Sequence, residues 1–189
     1  MPKRYIIFFP LLLAGCAPLA VGGIGSVGMS AVEDRGVTGV ISDQALRMKL
    51  NVKLSNDLDD FSGIELTLYK GRVLLTGVAG SEKTKADAVR IVKGDADVRE
   101  VIDGMNVQGE DGFSEYTRDG WMTTKLKTVL IGEDVYAPNY VIKTFDKVIY
   151  ILGTAPTKEE MQRVIDAAYE ITGVRRVVNL IEIPKPSPK

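Results

Sequence analysis

Shifted by 76 residues, the sequence overlays itself without a gap. Asp43 meets Asp119, Leu50 meets Leu126 and Leu54 meets Leu130. Gly77 meets Gly153, Ala79 meets Ala155, and Val98-Arg99 with Val101 meets Val174-Arg175 with Val177. Identities are few, but the apolar pattern agrees throughout. The period is too long for a solenoid repeat. The chain is therefore read as one small domain written twice, over residues 41–108 and 116–184, with a polar linker at 109–115 and a tail at 185–189. A core of that size is marginal by itself, so the copies gain by docking on one another.

Each copy predicts α-β-β-α-β. Leu46, Leu50 and Leu54 repeat at helical spacing. Ile64, Leu66 and Leu68 alternate, Lys70-Gly71 turns the chain, and Val73 and Leu75 alternate again, which is a hairpin. Ser81 suits the N-cap of a second helix that turns Ala88, Val89 and Val92 inward. Val98, Val101, Met105 and Val107 supply a third strand. In the second copy, Thr157-Lys158-Glu159-Glu160 reads as a capping box, Val164, Ile165 and Ala168 line the helix, and residues 174–183 form the last strand. The helix between the second and third strands makes that pair parallel. The expected fold class is α+β: two tandem sandwiches, each a three-stranded mixed sheet packed on two helices.

The N-terminus reads as an export signal. Lys3 and Arg4 precede an apolar run from Tyr5 to Ala14, shorter than the roughly 20 residues that span a bilayer. The run ends in Leu13-Ala14-Gly15-Cys16, which resembles a bacterial lipobox. That resemblance makes residues 1–15 a leader and Cys16 the lipid attachment site, and Ala17 after it implies sorting to the outer membrane. Loss of the leader removes two bases and no acid, leaving a modestly acidic chain. Residues 16–40 are rich in Gly, Ala, Ser and Val without a sustained period and read as a flexible tether. Within them Gly23-Ile24-Gly25-Ser26-Val27-Gly28 fits G-x-G-x-x-G but lacks the preceding strand that a dinucleotide site needs.

Composition narrows the chemistry. Among 189 residues there is no His and one Cys, which removes imidazole bases, catalytic triads and His- or Cys-cluster metal sites. A net charge of −1 gives no reason to expect nucleic-acid binding. Asp57, Asp59 and Asp60 fail the EF-hand spacing, because Ser62 and Leu68 stand where Gly and Glu are required. Glu159 and Glu160 suit capping and the helix dipole. No Ser, Thr or carboxylate sits in a nucleophile elbow or S-x-x-K context. The reading is of a non-enzyme with no cofactor, no metal and no small-molecule substrate.

Gly71-x-Val73-x-Leu75-x-Gly77, followed by a helix and Val98-x-x-Val101, resembles the BON domain. Ile149-x-Ile151-x-Gly153 and Gly173-Val174-x-x-Val177 resemble it again; copy one departs by carrying Asp97 where copy two has Gly173. Lipobox, tether and two BON copies together resemble the dual-BON outer-membrane lipoproteins. Asp119-Gly120-Trp121-Met122-Thr123-Thr124-Lys125 is similar to that family's opening of its second copy. The resemblance implies anchoring in the outer membrane facing the periplasm, binding of anionic phospholipid through the first helix of copy two, a role in envelope integrity, and enrichment at division sites.

The residues add to this on their own. Met122, Leu126, Val129 and Leu130 form the core face of that helix. At roughly 100° per residue, Trp121, Thr124, Thr128 and Ile131 point away, with Lys125 beside Trp121 and Arg118 as a second base. The copy-one equivalents are Ala45, Met48, Val52 and Ser55, so the aromatic is new to copy two. Val135 and Tyr136 also replace Asp59 and Asp60. An off-core Trp beside a Lys suits the bilayer interface. Two other uses of Trp121 stay open: packing between the copies or under the tether, and a hot spot for outer-membrane assembly or cell-wall proteins.

Overall fold

The computed structural model describes residues 36–109, 116–133 and 135–184. The leader, the lipobox with Cys16, most of the tether, the G-x-G-x-x-G stretch, most of the linker and the tail lie outside the described residues. Copy one runs α1 (Gly36–Asp57), β1 (Ile64–Tyr69), β2 (Arg72–Ala79), α2 (Glu82–Lys93) and β3 (Glu100–Val107). Copy two runs α3 (Tyr116–Gly132), a short 3-10 turn (Ala137–Asn139), β4 (Tyr140–Phe145), β5 (Val148–Thr154), α4 (Lys158–Tyr169) and β6 (Arg176–Glu182). α1 starts inside the stretch read as tether. Gly36 and Gly39 in its first turns explain why composition hides the helix there.

Each sheet has its hairpin antiparallel and its outer pair parallel, in the order β1-β2-β3 and β4-β5-β6. The 76-residue shift survives as strand register. Ile64 pairs with Gly77 as Tyr140 pairs with Gly153, and Arg72 pairs with Glu100 as Val148 pairs with Arg176. Both domains are therefore the expected α+β sandwich of two helices on a three-stranded mixed sheet.

The Asp43/Asp119 identity has a structural cause. Asp43 accepts the backbone N–H groups of Lys70 and Gly71 at 2.8 and 3.0 Å, and Asp119 accepts those of Asp146 and Lys147 at 2.7 and 3.0 Å. Each carboxylate thus clamps its own hairpin turn to its own first helix, at the eighth residue of that helix in copy one and the fourth in copy two. These turns need positive φ at both central residues, and they have it: 51° and 73° in copy one, 49° and 59° in copy two. Copy two does this with no glycine, so its clamp holds a more strained turn.

Each domain has a helix-facing core. In copy one Leu46, Leu50 and Leu54 meet Leu66, Val73, Leu75, Ala88 and Val92; in copy two Met122, Leu126 and Leu130 meet Ile149, Ile151, Val164 and Ala168. Two details differ from the pattern reading. Ile165 is only partly buried, its expected place being taken by Ala167 and Ile171. Glu160 does not close a capping box: Thr157 caps the helix by accepting the N–H of Glu160, while the Glu160 carboxylate is buried and takes the Tyr140 hydroxyl at 2.6 Å. Burial, and then that carboxylate, pushes the Tyr140 phenol far above its usual range. Ser81 caps α2 as expected.

A third core joins the copies. Tyr69 and Leu74 of copy one pack with Val148, Tyr150 and Leu152 of copy two, flanked by Ile102, Val141, Phe145, Val178 and Leu180. These are the strand positions that point away from the helices. The sheets therefore stack face to face and the molecule has four layers, with α1 and α2 outside one sheet and α3 and α4 outside the other. Tyr69 and Thr154 hydrogen-bond through their hydroxyls at 2.9 Å, Arg99 meets both Glu182 oxygens at 2.9 Å, and Lys143 reaches Glu65 at 2.5 Å. The Tyr150 ring lies so close over Gly104 that a Cβ there would stand 2.6 Å from its hydroxyl oxygen. Only glycine fits that approach.

Candidate functional site on the outer face of α3

α3 is held on one side by three residues with no exposure at all, Met122, Leu126 and Leu130. Its N-terminus is fixed by the Asp119 clamp. The opposite side is therefore committed to solvent before any partner is considered. Trp121, the only Trp, is 50% exposed there, and Ile131 is 76% exposed. Thr124, Lys125 and Thr128 share that face and are exposed. Trp121 does not pack between the copies, because α3 lies in an outermost layer and the inter-copy core is made by strands. The five residues picked out from periodicity thus share one outward surface.

The threonines add surface rather than donors. The Thr124 hydroxyl donates to the Gly120 carbonyl and the Thr128 hydroxyl to the Thr124 carbonyl, both at 3.0 Å. Their protons are used within the helix, and each contributes its methyl and one acceptor.

Lys125 gives the sharpest contrast. Its copy-one equivalent, Lys49, donates to Asp95 and Asp97 at 2.9 Å each. Those two hydrogen bonds hold the Lys49 ammonium above its usual pKa, and the same contact holds the buried Asp95 carboxyl below the usual carboxylate range. In copy two the equivalents of Asp95 and Asp97 are Ile171, buried in the core, and Gly173, at φ 87°. Lys125 consequently has no ion pair with any described residue. The guanidinium of Arg118 packs over Gly173 at the same end of the helix. Asp97 against Gly173 was legible as a departure between the copies. That it would release a lysine was not, because the pair spans two elements.

Pattern reading underweighted α1. Ile41, Met48 and Val52 are 62%, 65% and 61% exposed, and together with exposed Ala45 they form an outward apolar stripe of their own. Exposure alone therefore does not single out copy two; an aromatic beside an uncompensated base does. After α3, Val135 turns partly into the core while Tyr136 stays 40% exposed. No described helix is long and apolar enough to cross a membrane.

The comparisons agree with this architecture. The chain is 27% identical over 91% of its length, and 90% of the relative's, to the outer membrane lipoprotein DolP of Haemophilus influenzae. It is 28% identical over 76% of its length, and 95% of the relative's, to an uncharacterized protein of Anaplasma centrale. It is 24% identical over 79% of its length, and 78% of the relative's, to a 21 kDa hemolysin of Actinobacillus pleuropneumoniae. The family model of the BON domain matches twice, at residues 42–109 and 118–185. With both copies matched, and with each folded as the same sandwich, the chain belongs to the BON domain family as a tandem pair.

Proposed function

We propose that this protein is an outer-membrane lipoprotein, anchored through Cys16 and facing the periplasm, whose α3 face makes a second, reversible contact with anionic phospholipid. In this role it supports envelope integrity, including at division sites. The observation that carries the reading is half-exposed Trp121 beside Lys125, whose copy-one counterpart is neutralised by two aspartates. An indole favours the bilayer interface, and a nearby ammonium favours a phosphate surface by about 1 kcal/mol. The similarity to a protein named as an outer membrane lipoprotein supports the location. Attachment at Cys16, 20 residues ahead of Gly36, would keep the folded part near the membrane, so a weak surface contact suffices.

The test uses residues 17–189, without leader or acyl anchor, and vesicles containing phosphatidylglycerol. Binding with a blue shift of Trp121 fluorescence is expected. Absence of binding, or equal binding by Trp121→Ala, ends the reading. A second reading, a protein–protein adaptor for outer-membrane assembly or cell-wall machinery, is favoured by one observation. The α1 stripe faces outward from the layer opposite α3, and a flat bilayer meets only one of the two. Site-specific cross-linking from positions 121 and 48 separates them: lipid adducts at 121 with no protein adduct at 48 leave no role for a protein partner, whereas one dominant protein adduct at 48 supports the adaptor.

A further inference from the structure

The two copies are related closely enough that each serves as a control for the other, and one place breaks the match. A cleft of about 550 Å³ lies between the first turn of α3 and the end of the copy-one hairpin. It is walled by Ile64, Thr76, Val78, Gly120, Thr123 and Phe145. The equivalent positions in the other half are Tyr140, Leu152, Thr154, Gln44, Arg47 and Tyr69. Five of those six are larger or reach further, and there Tyr69 and Thr154 bond across the gap. Where the molecule has filled one side, it has left the other open with smaller residues.

Packing does not require the opening. Gly120 sits within α3, and a Cβ built on it would meet no described residue within 4 Å. Glycine inside a helix costs about 1 kcal/mol relative to alanine, so the gap is kept at some expense to the helix. Thr76 is fully buried, and its Oγ1 has no hydrogen-bond partner among the described residues, which is costly unless a ligand supplies one. The cleft falls within the usual size range of ligand sites, and its open surface is mainly apolar, with the Glu65–Lys143 ion pair and Asp119 also on its lining.

We infer that this cleft holds one fatty-acyl group of a bilayer phospholipid, its chain along the apolar walls and its ester carbonyl accepting a hydrogen bond from the Thr76 hydroxyl. The choice of a lipid over an apolar peptide rests on continuity. Gly120 precedes Trp121, and its carbonyl is bonded by Thr124, so the cleft opens beside the face proposed to meet the membrane. Lys127 lies one turn beyond Thr123 on that flank, exposed and without an ion pair to any described residue, where it can meet a headgroup phosphate. The inference rests on the membrane reading given above.

The experiment uses the intact lipidated protein in vesicles of phosphatidylethanolamine and phosphatidylglycerol, the latter with a photoreactive diazirine in one acyl chain. Adducts are mapped by mass spectrometry, and Trp121 fluorescence is followed in parallel. The cleft is closed with the residues the molecule uses opposite, Thr76→Leu together with Gly120→Gln. Thr76→Leu alone is the fallback if the pair fails to fold. Wild-type adducts on residues 63–64, 76–78 and 145, falling at least tenfold in the closed variant while the Trp121 shift persists, support the inference. Adducts confined to Trp121, Thr124 and Ile131 overturn it and leave the membrane reading intact. Cleft adducts without a Trp121 shift overturn the membrane reading and keep the acyl site. An apolar peptide co-purifying in the cleft and excluding the lipid probe overturns the inference.

Discussion

α1 and α3 follow one pattern and end up in different electrostatic states. Leu46, Leu50 and Leu54 are buried in α1 as Met122, Leu126 and Leu130 are in α3, and each helix carries an aspartate that clamps its own hairpin. Outward, α1 shows Ile41, Met48 and Val52, with Lys49 tied to two acids; α3 shows Trp121 and Ile131, with Lys125 in no ion pair with any described residue. The scaffold half of each helix is thus held constant while the solvent half is altered. Duplication teaches which half carries stability and which is available for binding.

The scaffold half can be broken first. Asp43→Ala and Asp119→Ala each strand two backbone donors, and each should cost about 2 to 3 kcal/mol in chemical denaturation. Asp119→Ala should cost less, by about 1 kcal/mol, because its turn holds two non-glycine residues at positive φ and loses that strain once unclamped. Equal losses would show that the two clamps are interchangeable. The binding half is next. Trp121→Ala should weaken phosphatidylglycerol vesicle binding about 30-fold, the equivalent of about 2 kcal/mol of buried ring. Ala45→Trp should raise copy-one binding by less than that, because Lys49 stays paired; a full gain would mean the lysine is irrelevant.

Lys125→Gln should reduce binding about fivefold at low ionic strength, and the loss should shrink as salt is added. Lys49→Gln should leave vesicle binding unchanged. The smallest effect is on pH dependence. The Lys49 contact lowers the Asp95 pKa in the folded state, so its stabilisation is present above the ordinary carboxylate value. It disappears as pH falls through the lowered one, below about pH 4. Asp95→Asn should therefore be less stable than wild type near neutrality, by a small margin because Lys49 is half exposed, and equal to it in strong acid. A difference that persists in acid would assign Asp95 a role other than this pair.

Much of this was legible in the residues. Strict alternation in Ile64-Leu66-Leu68 and the helical stripe Leu46-Leu50-Leu54 each have one solution, and the 76-residue shift carried both into copy two. The outward placement of Trp121 followed from helical geometry once Met122 and Leu126 were assigned to the core. Marginal size predicts docking of the copies but not the face that makes it, although the runs Val73-Leu74-Leu75 and residues 148–152 are apolar on both faces, which signals a sheet covered twice. Glu160 was assigned to capping because sequence spacing does not reveal that Tyr140 lies across from it.

Local order in this protein is a property of the sequence: periodicity sets the elements, turn chemistry sets the hairpins, and repetition sets the two domains. What only the tertiary structure decided is which polar groups meet and which faces remain open. Lys49 and Lys125 occupy the same place in the repeat. Their difference lies in residues more than 45 positions away, brought near by the packing of the helix on its sheet. Likewise, α1 and α3 face opposite sides because the sheets stack between them, and the cleft beside Gly120 exists only because two unlike halves were joined.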